Sequence, residues 1–204
     1  MSSLNVSVSF ETKGLARLMA FTDIAAYDRI VKRTLPYVAR AARTKAGQEI
    51  SGRYGLKSSR VKQDIGGIRM APGGGEAVIP FNRKPPTIHA YSASFTAART
   101  ANTQSSGARG VTSWTIYKGE RNRSSHVFWR MANGRILPFI SSKHGGSNQK
   151  YYNGIRVLYG PSIGSIFAGD SRFGDAIRTA VSDRMGEAFD VGIAREIKKI
   201  ASGF

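Results

Sequence analysis

Leu4, Val6, Val8 and Phe10 alternate with Asn5, Ser7 and Ser9, the two-residue period of a strand with one buried face. Such a strand is expected at a sheet edge or against a neighbouring subunit. Beyond it the period lengthens. Asp23 is an N-cap type of residue, and Ile24, Tyr27, Ile30 and Val31 fall on one helical face behind it, predicting a helix through Leu35. Pro36 leaves two readings open: the first turn of a second helix with Leu35 extended before it, or the interior of one long helix kinked there. The continuation is rich in small residues (Ala39, Ala41, Ala42, Ala46, Gly47) and runs to about Ser51, where Gly52 and Gly55 break it. Ser58 or Ser59 then caps a short basic helix through Asp64.

The middle of the chain changes to strand patterns. Gly67 to Met70 and Ala77 to Phe81 flank Pro72-Gly73-Gly74-Gly75, a hairpin signal. Thr87 to Ser94, entered through Pro85-Pro86, reads as a third strand, and polar Arg99 to Gly110 as a loop. Val111 to Lys118 alternates cleanly. Phe128 to Met131 and Arg135 to Phe139 flank Asn133-Gly134, the pair favoured in type I′ turns. A Gly- and Ser-rich loop from Ser141 to Gln149 leads to a short strand within Tyr151 to Tyr159, ended by Gly160-Pro161. Phe173, Ile177, Val181, Ala188, Ile193, Ile197 and Ile200 recur mostly at fours, predicting an amphipathic helix over 172–201. The expectation is one α+β domain over 1–204: an N-terminal strand or arm (1–22), a helical segment (23–65), a mostly antiparallel β-rich region (66–160) with loops at 99–110 and 141–149, and the final helix.

Composition narrows the class. Hydrophobic residues make up 41%, enough for a packed core. No stretch approaches the roughly 18 apolar residues of a membrane span, and no signal-peptide pattern is visible. Without cysteine there is neither disulfide nor thiolate metal site. The charge is the dominant feature: 31 Lys and Arg against 13 Asp and Glu, formally +18. Such an excess points to a polyanion or an acidic partner. Residues 76–156 hold 12 basic side chains and only two acidic ones, Glu76 and Glu120, whereas 170–199 hold six of each. The cations sit in segments that read as folded, not in a low-complexity tail.

Catalytic chemistry finds little to work with. His89, His126 and His144 have no metal-ligand spacing, and two carboxylates across 65–169 are too few for acid–base work or for Mg²⁺. Gly73-Gly74-Gly75 lacks the lysine and hydroxyl of a phosphate loop. A non-enzymatic protein without cofactor is expected. Arg121, Arg123, Arg130 and Arg135 border His126-Val127-Phe128-Trp129, a combination that suggests a stacking platform for single strands. The competing reading sends Phe128 and Trp129 to opposite faces of a strand, one to the core and one to a subunit interface. Arg99, Arg109, Arg121, Arg123, Lys143 and Lys150 are the candidates to face DNA or an acidic partner; Trp129, Phe128, Leu4, Val6 and Val8 are the candidates for subunit contact. No base-reading motif is present, so any DNA contact is expected to be with the backbone and salt-sensitive.

The order of these features resembles the minor tail protein Z family of tailed bacteriophages and related tail-completion proteins. A proline-interrupted helical start (Thr34-Leu35-Pro36) leads to an Ala- and Arg-rich helix, then to a basic helix (Lys57 to Lys62) and strands opening Gly67-Ile68-Arg69-Met70. His126 to Arg135 resembles the family's aromatic strand entering an Asn-Gly-Arg turn, and Ile155 to Pro161 its short strand before the final helix. The resemblance spans roughly residues 25–200, and its specific motifs are Asn133-Gly134-Arg135 and Gly160-Pro161. It implies a structural virion protein, assembled in the host cytoplasm, that forms a ring, commonly of six subunits. The ring would join the tail tube or terminator to the neck or connector, near the DNA path and away from any membrane. A sequence-nonspecific DNA-binding protein, or another tail subunit (terminator, tube or baseplate), are the alternative readings.

Overall fold

Thirty residues with a small-residue flank and an apolar stripe form one helix, α1 (Ile24–Arg53), with Pro36 inside it. The choice left open by the sequence therefore falls to a single helix, in which Pro36 has no N–H for the carbonyl one turn back. The computed structural model describes residues 24–70, 76–97, 110–132, 134–144, 151–167 and 172–202. Asp23, the turn at Pro72 to Gly75 and Asn133 lie outside them, as does the N-terminal strand. Helix α2 (Ser58–Asp64) follows where the serine pair predicts it. The chain divides into two compact units, the first made of residues 1–50, 62–83 and 163–204, the second of 51–61 and 84–162.

The first unit is helical. Besides most of α1 it holds a two-stranded antiparallel hairpin, β1 (Arg69–Met70) with β2 (Ala77–Val78), a short α3 (Ile163–Phe167) and the long α4 (Gly174–Ala201). Its core joins α1 to α4 through Ile30, Val38, Ala188, Phe189 and Ile193, with Val31, Tyr37, Ala41 and Met185 packed around them. Burying each of the larger side chains stabilises the unit by about 1.5–3 kcal/mol. The helices come close together at Gly192, where a Cβ would collide with the methyl of Thr34. Buried Asp64 fixes the chain before the hairpin: its carboxylate accepts from Asn82 Nδ2 at 2.9 Å and its carbonyl from Asn82 N at 2.9 Å. Phe81 stacks on Phe167 with centroids 4.4 Å apart. Arg178 donates to the Phe167 carbonyl at 2.7 Å, satisfying one of α3's open acceptors.

The second unit is built from two antiparallel three-stranded sheets. One orders β3 (Ser94–Ala97), β4 (Gly110–Trp114) and β5 (Asn122–Ser124); the other orders β6 (Val127–Ala132), β7 (Arg135–Ser141) and β8 (Ile155–Val157). A buried hydroxyl ties them together. Thr112 on β4 donates to the Val127 carbonyl on β6 at 3.3 Å and accepts the Trp129 indole N–H at 3.0 Å. The β6–β7 hairpin forms as its Asn-Gly pair predicts, pairing Ala132 with Arg135, and Gly134 takes φ +70°.

Two strand expectations are corrected. Thr87 to Ser94 is not a strand: Thr87 bridges Tyr159, Ile88–Ala90 is a 3-10 turn, and pairing in β3 begins only at Ser94. The cause is Tyr91, wholly buried, whose hydroxyl donates to the Pro161 carbonyl and whose own carbonyl accepts from Thr115 N at 2.9 Å. The chain turns inward to seat this ring, and Ser92 adopts φ +53° just after it. The same demand shortens the strand expected over 111–118, which ends at Trp114; Thr115 then bonds to Tyr91, and Ile116 and Lys118 bond to Gly55 and Arg53. Gly160 passes flat beneath Tyr91, where a Cβ would enter the ring. The C-terminal helix starts at Gly174 and runs to Ala201, close to expectation. Among the described residues, no helix is long and apolar enough to cross a membrane.

Candidate functional site

The partition into units sharpens the charge map. The second unit carries 14 Lys and Arg and one acid, Glu120; the first carries 17 and 12. Most of the excess therefore belongs to the second unit, and two features there gather candidate side chains.

The first is the face of the β3–β4–β5 sheet. Register places Ser94 opposite Ser113 and Ser113 opposite Arg123, and directly opposed residues project to the same face. Arg121, two residues before Arg123, shares that face by alternation. Its Nη2 donates to Ser113 Oγ at 2.7 Å and Ser94 Oγ at 3.1 Å, while the two hydroxyls bond each other at 2.9 Å. Both arginines are exposed, and neither forms an ion pair with a described residue. A guanidinium has five donors, so Arg121 is oriented by the serines with donors left for an outside anion. The structure thus brings together Arg121 and Arg123. Lys143 is exposed in the turn after β7. Arg99, Arg109 and Lys150 lie outside the described residues, as do Leu4, Val6 and Val8.

The second is an open groove of about 1280 Å³ whose walls include Trp129, Phe95, Tyr159 and Ile136 and the cations Arg60, Lys84 and Arg135. Among the described residues, no carboxylate lines it. Trp129 stands in its wall, fixed by the bond to Thr112 and by the edge of His89 at 5.6 Å. Phe128 points the other way and stacks on its cross-strand partner Phe139, centroids 6.0 Å apart. The two aromatics do take opposite faces. At the hairpin's end Met131 and Ile136 oppose each other and are 70% and 60% exposed, an apolar pair without cover.

Sequence reasoning missed Arg60, Lys84 and Tyr159, which come to the groove from distant segments. The turn motif held a signal for one omission: with Asn133-Gly134 at the tip, Met131 must face Ile136. It also treated the histidines as unrelated. His126 and His144 stack with centroids 3.8 Å apart, because the antiparallel β6–β7 pairing returns the chain beside its starting point. Among the described residues, no group of three His, Asp or Glu could hold a metal ion.

One carboxyl of the first unit is perturbed. The Lys199 ammonium, 2.6 Å from buried Glu196, holds its carboxyl below the ordinary range against the opposing effect of burial, with help from Arg33 at 3.5 Å. The arrangement is an ion-paired helix surface. In chemical terms the second unit offers anion contacts and stacking area, and the first offers packing. No protein-family model, curated protein or solved structure matches the chain, so its role has to be read from these side chains.

Proposed function

We propose that this chain is a structural virion protein of a tailed bacteriophage, a minor tail or tail-completion protein. It forms a ring at the head-proximal end of the tail and joins it to the neck, with the basic surface of the second unit near the DNA path. The observation that supports the reading is the 14-to-1 cation excess in the sequence of the second unit, with Arg123, Arg130, Arg135 and Arg156 on its described strands. A folded unit rich in cations attracts a polyanion through its backbone without reading sequence. The exposed Met131–Ile136 pair supports a protein that is completed by neighbours, since uncovered apolar contacts mark assembly surfaces. The order of elements resembles that of the minor tail protein Z family, and that resemblance supports the head-proximal position.

Imaging particles from a strain lacking the gene tests the proposal. Unjoined heads and tails, or joined particles that fail to deliver DNA, are expected; normal virions would refute it. A second reading, a sequence-nonspecific DNA-binding protein, is favoured by Arg121 held on serine hydroxyls beside Arg123. Its mark is strong, salt-dependent DNA binding by the isolated monomer.

A further inference from the structure

Helix α4 presents an uncovered face. Asp183, Glu187, Asp190, Ala194, Ile197 and Ala201 recur at three- and four-residue intervals, so they form one stripe along the helix, and every one is exposed. Its first half is acidic and its second apolar. Asp183 and Asp190 have no ion-pair partner among the described residues, while Glu187 is bridged by Arg184 at 2.8 Å. Val191 and Ile197 are 49% and 42% exposed. A lone helix in solution gains nothing from showing such residues on the side away from its own core.

The groove of the second unit has the opposite character. Arg60, Lys84 and Arg135 line it with Phe95, Ile136 and Tyr159, and no described carboxylate joins them. Its volume of about 1280 Å³ is on the scale of three turns of a helix roughly 10 Å across with a 5.4 Å pitch. The stripe's acidic half, from Asp183 to Asp190, spans about two turns. From this match of charge and apolar character we infer that the groove of one copy receives the α4 stripe of a second copy. The two surfaces differ, so the contact is heterologous and each copy keeps a free stripe and a free groove. Repetition extends the assembly until a ring closes. The inference rests on the ring proposed above and deepens it by naming the faces that meet.

A charge swap on the full-length protein tests it. Asp183→Lys with Asp190→Lys makes the stripe basic; Lys84→Glu with Arg135→Glu makes the groove acidic. Wild-type chain is expected to self-associate in sedimentation, and each double variant, folded by circular dichroism, to associate at least about tenfold more weakly. In a mixture of the two, every reversed stripe finds a reversed groove, and association is expected to return. Two folded variants that remain monomeric when mixed would overturn the inference, as would variants that associate like wild type or a wild type that never associates. A groove that instead binds a single-stranded oligonucleotide, losing it in the Lys84/Arg135 variant while the wild type stays monomeric, would give the groove to nucleic acid and also overturn it. Particle imaging remains separate: unjoined particles with a failed swap keep the function and remove this contact, and normal virions with a successful swap do the reverse.

Discussion

The two units solve the same problem, holding a strongly cationic chain folded, in different ways. In the first, 12 acids stand against 17 bases, and the helices carry local pairs such as Lys32 with Asp28, Lys45 with Glu49 and Arg184 with Glu187. In the second, one acid faces 14 bases, and order comes from aromatic rings and hydroxyls: Tyr91 on Pro161, Trp129 on Thr112, Arg121 on two serines. Hydrogen bonds to uncharged acceptors do not cancel positive charge. Arg121, held that way, and Arg123 beside it keep their charge for something outside the unit, whereas ion pairing spends charge internally.

This contrast can be broken at several points. Gly192→Val is expected to have the largest effect, since its side chain must enter the space of the Thr34 methyl; a loss of about 3 kcal/mol in denaturant unfolding is expected, with hydrogen exchange rising first in α1 and α4. Gly160→Ala strikes the corresponding close approach in the second unit and should cost about 2 kcal/mol, with the earliest exchange around Tyr91 and β8. Thr112→Val strands both the Trp129 indole N–H and the Val127 carbonyl, at about 1–2 kcal/mol by the same unfolding measurement. Stability unchanged in Thr112→Val would sink the claim that hydroxyls hold this unit.

Glu196→Gln is the smallest and works through pH. The carboxyl's value is lowered in the folded chain, so its contribution is present above the unfolded value and fades as pH falls through the folded one. Because Arg33 is 70% exposed and Lys199 50%, solvent screening keeps the effect to about 0.5 kcal/mol. The variant should match wild type in acid and lag it slightly at neutral pH. A gap that widens as pH falls contradicts that assignment.

Local chemistry was legible in the sequence wherever a short motif decided the outcome. The Asn-Gly pair announced the β6–β7 hairpin, the serine pair the start of α2, and the isoleucine spacing most of α4. What alternation could not announce was a tertiary demand. Tyr91 looks like any other residue in a β-favouring run, and only the arrival of Pro161 and Thr115 explains why the chain turns in there. β5 and α3 are three and five residues long, too short for any period to register. The candidate site divides the same way. Arg121 and Arg123 were found because they neighbour each other in sequence; Arg60, Lys84 and Tyr159 meet Trp129 only through folding.

The core that joins α1 to α4 also has a consequence in time. Val38 packs in one cluster with Phe189, so this part of the first helix's apolar stripe has no cover until residue 189 has been made. At about 5–20 residues per second of synthesis, that wait is about 8–30 s. Throughout it, a basic amphipathic helix stands open on the ribosome. Truncation before residue 174 should therefore leave α1 without a partner, yielding aggregated rather than shortened protein.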